Sequence, residues 1–166
     1  MVIKIQELLD TNLYIGDKSD AHYINKEDWA VIHATQTIHY RIFNWNRTTN
    51  KPDKNHPNYI KYKEGDRFSL NWVDGPAYLY KMSGPETFIE VLDFIDKWIK
   101  KKKVLVHCDQ GYSRSPSIGL LYLAKRSELI TDDSFEKAKK EFLEIYPYYS
   151  PGGIADYIDK NWKNIE

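Results

Sequence analysis

Cysteine is nearly absent: Cys108 is the one thiol in 166 residues. A lone cysteine cannot close an intramolecular disulfide, so a reducing, cytoplasmic setting fits best. Net charge is absent too. Lys plus Arg and Asp plus Glu stand at 24 each, a formal charge of +0 at pH 7. That removes the basic excess expected of a nucleic-acid binder. No apolar run approaches the roughly 20 residues of a membrane span. The opening stretch MVIKIQELLD lacks the long apolar centre of a signal peptide. There is no internal repeat, no low-complexity tract and no metal-ligand spacing of His, Cys, Asp or Glu. What is left is a chain of one domain's length, able to bury about 70% of its unfolded surface. Its 42% apolar and 29% charged residues are ordinary for a globular protein.

The apolar residues are arranged as short strands followed by β-α alternation. LYIGD (13–17) and WAVIHAT (29–35) read as strands, and TIHYRIF (37–43) as a candidate third. Residues 44–66 are polar, with two prolines and little periodicity, and a loop that long inside a compact domain is usually functional or disordered. RFSLNWV (67–73) alternates as a strand does, and residues 74–86 are turn-rich. Phe88, Leu92, Ile95 and Ile99 recur at helical spacing, with Ser83 and Glu86 at capping-box spacing ahead of them. The run Lys100–Lys103 suits the solvated C-terminal end of that helix. VLVHC then reads as a buried strand. SIGLLYLA is apolar nearly all round and predicts a central helix, with Pro116 in its first turn. Thr131, Asp132 and Asp133 open a helix whose face carries Phe135, Ala138, Phe142 and Tyr146. A last helix aligns Ile154, Ile158 and Trp162. This order favours an α/β sheet with helices packed on it.

Cys108 ends a strand, and a short polar loop carries the chain from it into the central helix. A free thiol is only about 3% thiolate at pH 7. Backbone N–H groups of such a loop, from Asp109, Gln110, Gly111, Tyr112 and Ser113 to the helix start, can converge on one point and favour negative charge there. Arg114 adds a fixed cation with a forked donor set suited to phosphate oxygens. Gly111 lets the loop adopt positive φ. A cradle that favours a thiolate also binds a phosphate dianion, so the chemistry indicated is thiolate attack on phosphorus followed by attack of water. The first step needs a general acid for the leaving oxygen. Asp74, at a strand end on a Gly-Pro turn, is the candidate, and Asp66, placed before that strand, is the fallback. Ser115 stands where a hydroxyl can assist the departing thiolate.

HCDQGYSRS resembles the H-C-x5-R-[S/T] signature of the cysteine-dependent phosphatases, most closely their dual-specificity branch. NLYIGD is similar to that family's N-terminal strand, Asp74 to its general acid in lying 34 residues before the cysteine, and YSPGG to its turn before the final helix. The resemblance implies an α/β single compact domain spanning 1–166, with a central, roughly five-stranded mixed sheet and helices on both faces. Residues at about 44–66 would be a polar insertion in it. It further implies a phosphocysteine intermediate with no metal and no cofactor. Cys108 would be the nucleophile, Arg114 the phosphate binder, Asp74 acid then base, Ser115 the helper of thiolate departure and His107 the tuner of the cysteine. The partner would be a phosphorylated protein or peptide, with phosphotyrosine and also phosphoserine and phosphothreonine admitted by a shallow pocket. The family often carries an asparagine before the last helix. Here Ser150, Pro151 and Gly152 stand there, and Ser150 is the candidate replacement.

Other readings compete. A buried structural thiol is the usual fate of a lone cysteine, but it leaves Gly111, Arg114 and Ser115 unexplained. A phosphoinositide phosphatase would be expected to carry lysines in the loop, where Asp109, Gln110 and Tyr112 stand. A non-catalytic phosphate-binding module could dispense with nucleophile or acid. A rhodanese-like sulfur transferase would not explain Asp74 or Ser115. His33 and His39 read as structural. The tyrosines at 146, 148 and 149 fit either core packing or a stacking surface, and NRT (46–48) matches a glycosylation acceptor that a cytoplasmic protein would not use.

Overall fold

The four inner strands of the sheet run parallel to one another, and the chain reaches that arrangement through helical crossovers. The computed structural model describes residues 5–166. Residues 1–4, part of the opening stretch read above for a signal peptide, lie outside the described residues. The strands are β1 (Gln6–Glu7), β2 (Leu13–Gly16), β3 (Trp29–His33), β4 (Lys61–Glu64), β5 (Arg67–Leu70) and β6 (Lys103–His107). They form one six-stranded mixed sheet in the order β1-β2-β6-β3-β5-β4. The central pairs β2–β6, β6–β3 and β3–β5 are parallel, and the edge strands β1 and β4 close it antiparallel. The sheet is one strand wider than the roughly five expected: two-residue β1, too short to carry an alternation signal, and β4, inside the polar stretch, are added, while residues 37–43 are not a strand.

The helices are α1 (Lys18–Tyr23), α2 (Gln36–Phe43), α3 (Gly84–Trp98), α4 (Arg114–Lys125), α5 (Phe135–Ile145) and α6 (Gly153–Lys160). Ala30, Ile32, Phe68, Leu70, Val104 and Val106 alternate onto one sheet face and are fully buried in the core cluster with residues of α3, α4, α5 and α6. SIGLLYLA is indeed buried along its whole length in α4. The other face carries only the short α1 and α2. Among the described residues no helix is long and apolar enough to cross a membrane.

Several local expectations are corrected. TIHYRIF is helix α2, not a strand. Thr35 caps it, its hydroxyl accepting from Thr37 N at 3.2 Å, and His39, Phe43 and Trp45 gather on one side of it. Residues 61–64 of the polar stretch pair with β5 as β4, so that stretch is partly sheet. Ser83 makes no side-chain cap bond to α3; its hydroxyl accepts instead from Trp72 Nε1 at 2.9 Å. α5 is capped by Ser134 rather than opened by Thr131–Asp133. The lysine run is not wholly solvated: Lys102 Nζ donates to Glu27 O and Asp66 Oδ2, at 2.9 and 2.8 Å. Trp162 lies in a short 3-10 turn just past α6.

Candidate active site

β6 is the central strand, and it delivers Cys108 to the C-terminal edge of the sheet directly ahead of α4. The loop between them folds back on the sulfur. Gly111 N donates to Cys108 Sγ at 3.3 Å, and Ser115 Oγ lies 3.1 Å from the same sulfur. The reversal requires Gly111 at φ +77, where an added Cβ would also press on Gly16 O at 3.3 Å. Tyr146 locks the turn by donating its hydroxyl to Gly111 O at 2.7 Å. Tyr146 and Tyr149 are core residues, which settles two of the three tyrosines; Tyr148 is partly exposed.

Arg114 is 6% exposed, and its guanidinium is aimed by two partners that linear reading did not reach. Nη1 donates to Trp72 O at 2.9 Å, and Nη2 lies 3.5 Å from Asp109 Oδ2. Nε is buried with no partner, a donor that is costly to leave unmet. Asp109 is held from its other side by Thr35 Oγ1 at 2.7 Å. Partial burial pushes the Asp109 carboxyl up, but the Thr35 hydrogen bond and the Arg114 and Lys18 charges outweigh it and hold it below its ordinary value. Asp109 is therefore an anchor facing Arg114, not a charge pointed at the sulfur.

Asp74 follows Trp72 by two residues, so the segment whose carbonyl aims Arg114 also carries the candidate acid. It is exposed. Tyr80 fastens this segment by donating to Val73 O at 2.7 Å, and its hydroxyl, driven upward by burial, feels the charges of Arg114, Asp74 and Cys108 together. Asp66, the fallback, lies apart from this segment. It sits at the opposite end of β5, joined to Arg67 at 2.9 Å and Lys102 at 2.8 Å. Burial raises its carboxyl, and those two cations more than reverse the effect.

The turn before α6 connects both parts through main-chain atoms. Ser150 N donates to Tyr112 O at 2.8 Å, Gly152 N to Ser113 Oγ at 3.1 Å and Gly153 N to Gly75 O at 3.1 Å. The support expected from the Ser150 side chain thus comes from backbone N–H groups. Gly153 is required by close approach: an added Cβ would meet Ala77 N at 2.3 Å and Gly75 O at 2.4 Å. Gln110 shows no side-chain hydrogen bond among those described. Among the described residues no three His, Cys, Asp or Glu side chains gather as a metal site.

His107 Nδ1 lies 3.2 Å from Cys108 O, and its Nε2 lies 2.5 Å from His33 Nδ1. Burial lowers both rings, His33 to about 3 and His107 to about 4. Both are neutral at pH 7, so His107 Nδ1–H donates to the Cys108 carbonyl and its Nε2 accepts from His33 Nδ1–H. Unfolded, each would titrate near 6.5. Stability from this pair is therefore complete above about pH 6.5 and falls as pH drops towards 4, by up to about 1.4 kcal/mol per pH unit per histidine. Urea unfolding at pH 7 and pH 5.5 is expected to show that loss. In His33→Gln the pH dependence becomes shallower by about one proton, and an unchanged slope would mean that His33 takes up its proton in the folded state.

Residues 13–148 match the family model described as dual specificity phosphatase, catalytic domain, and the chain belongs to that family. It is 30% identical over 161 residues to human dual specificity protein phosphatase 16, covering 92% of this chain and 20% of that one. Rat dual specificity protein phosphatase 5 is 39% identical over 64 residues, 37% of this chain and 16% of the relative. The chain therefore spans about a fifth or less of the length of these relatives. A leucine-rich-repeat and phosphatase domain protein from Entamoeba histolytica superposes with TM-score 0.62 at 17% identity, over 97% of this chain and 92% of that one. The Yvh1 phosphatase domain from Chaetomium thermophilum does so with TM-score 0.61 at 18% identity, over 97% and 96%. These likenesses show the fold.

Proposed function

We propose that the chain is a cysteine-dependent phosphomonoester hydrolase acting on phosphorylated proteins or peptides, at phosphotyrosine and also at phosphoserine and phosphothreonine. The observation that carries the proposal is the double approach to one sulfur, Gly111 N–H at 3.3 Å and the Ser115 hydroxyl at 3.1 Å, beside a buried arginine with an unmet donor. Those donors converge on the sulfur and suit the oxygens of a phosphoryl group bound to it.

In the first step the Cys108 thiolate attacks phosphorus and the P–O ester bond breaks. Asp74 gives its proton to the leaving oxygen while Arg114 and the N–H groups of residues 109–114 hold the equatorial oxygens. In the second step the Asp74 carboxylate takes a proton from water, the water oxygen bonds to phosphorus and the S–P bond breaks. Ser115 donates to the departing sulfur. His107 acts through the Cys108 carbonyl it holds. No metal is needed, and the reduced thiol suits a cytoplasmic setting. The polar stretch at 44–66 flanks the site on this reading: Arg47 Nη2 donates to Gln36 Oε1 at 3.2 Å, and Gln36 N donates to Trp72 O at 2.8 Å.

Hydrolysis of an aryl phosphate and of a phosphotyrosine peptide is expected in EDTA, with inhibition by vanadate, which imitates the five-coordinate phosphoryl group. Tight peptide binding with no phosphate release would make the chain a phosphate-binding module. Turnover of a phosphoinositide but not of the peptide would replace the substrate class.

A further inference from the structure

The larger of the described cavities, about 930 Å³, has neither Cys108 nor Arg114 in its wall. It lies on the sheet face that carries α1 and α2. Alternation turns Val31 and His33 of β3, and Arg67 and Ser69 of β5, to this face, where they line it. The two helices stand apart over that floor, Ala21 and Ile24 on one side and Ile38 and Ile42 on the other.

Two features define what fits. The first is uncovered apolar surface: α1 buries none of its residues, and Tyr23 and Ile42 are 83% and 45% exposed. The second is charge. Lys18, Lys26 and Arg41 line the cavity, and none has an ion-pair partner among the described residues. The wall's acids are already engaged, Asp66 by Arg67 and Lys102 and Glu64 by the Tyr62 hydroxyl. The volume lies within the roughly 300–1,000 Å³ of small-molecule sites.

We propose that this cavity binds a small amphipathic anion, an acyl-chain carboxylate, its chain against Val31, Ile38 and Ile42 and its carboxylate among Lys18, Lys26 and Arg41. The site is distinct from the phosphate loop yet joined to it, since His33 on its floor is hydrogen-bonded to His107.

The test is calorimetric titration of the whole chain with monomeric dodecanoate, alongside dodecanol. Saturable one-to-one binding of dodecanoate is expected, unaffected by saturating vanadate, with amide NMR shifts at Val31, His33 and Ser69. Lys26→Glu with Arg41→Glu is expected to weaken it by about tenfold or more, and Ala21→Trp, which fills the cavity, to abolish it. Circular dichroism and aryl phosphate turnover without dodecanoate should match wild type in both. No saturation below the micelle concentration would overturn the proposal, as would equal affinity for dodecanol, indifference to both variants, or displacement by vanadate. Binding of an acidic amphipathic peptide with none of dodecanoate would overturn it in favour of a protein occupant.

Discussion

Cys108→Ser is expected to eliminate turnover of any phosphomonoester while leaving the fold and the anion site intact. Serine keeps the small buried shape of the side chain, and Gly111 N–H and the Ser115 hydroxyl retain an oxygen to face where each now meets sulfur at 3.3 and 3.1 Å. A hydroxyl at neutral pH is far less ionised than a thiol, and no neighbouring base takes its proton. His107 cannot serve: its ring is buried, and both nitrogens are committed, to the Cys108 carbonyl and to His33. Loss of an attacking group in covalent enzymes reaches about 10⁶-fold in kcat, and a fall on the order of 10⁴-fold or more is expected here. Thermal unfolding and inorganic phosphate affinity should stay close to wild type, because Arg114 and the loop N–H groups bind the tetrahedral anion without the sulfur. A serine variant with wild-type rate would end the covalent mechanism. One that no longer binds inorganic phosphate would show that the sulfur shapes the loop rather than reacting.

Asp74→Asn separates chemistry from structure by leaving group. A general acid matters in proportion to the basicity of the oxygen it protonates. A nitrophenolate leaves nearly unassisted, so its release should slow only modestly. Phosphoserine and phosphotyrosine peptides should slow far more, on the order of 10²-fold or greater. The exposed position of Asp74 makes a folding defect an unpromising source of such a split, since a displaced Trp72 carbonyl would loosen Arg114 and hurt all substrates alike. Asp66→Asn provides the contrast. Its carboxylate joins Lys102 and Arg67 at the far end of β5, so any effect should fall on stability and not on the ratio between substrates. Equal losses on both substrates in Asp74→Asn would reduce Asp74 to a structural turn residue. Leaving-group dependence in Asp66→Asn would move the acid to the wrong end of the strand and overturn the site as drawn.

Much of this site was readable because its parts are contiguous. Residues 107–115 contain the thiol, the glycine, the arginine and the hydroxyl, and one strand-loop-helix turn places them within a few residues of one another. The central helix was legible for the same kind of reason, since an apolar run on all sides leaves burial as its one stable outcome. The amphipathic face of α5 was equally clear, while its start was misplaced by a few residues because several capping residues lie in succession and only packing selects Ser134.

The sequence alone thus determined the loop from Cys108 to Arg114, the strand and helix that hold it, and Asp74 as the candidate acid past the end of β5. Tertiary structure decided the rest. TIHYRIF has β-branched and aromatic residues that suit either state. It became α2 because Gln36 N donates to Trp72 O and His39 is drawn between Ser69 and Asn58, contacts made across 19 or more positions of chain. Ser83 had the spacing of a cap, but the buried indole of Trp72 required an acceptor and took its hydroxyl. Thr35, the Trp72 carbonyl and the backbone of 150–153 carry no chemical signature in one dimension. They aim Arg114 and tie the acid segment to the loop only because a parallel sheet brings the C-terminal ends of β3, β5 and β6 side by side, and strand order of that kind is set by long-range packing, not by any local run of residues.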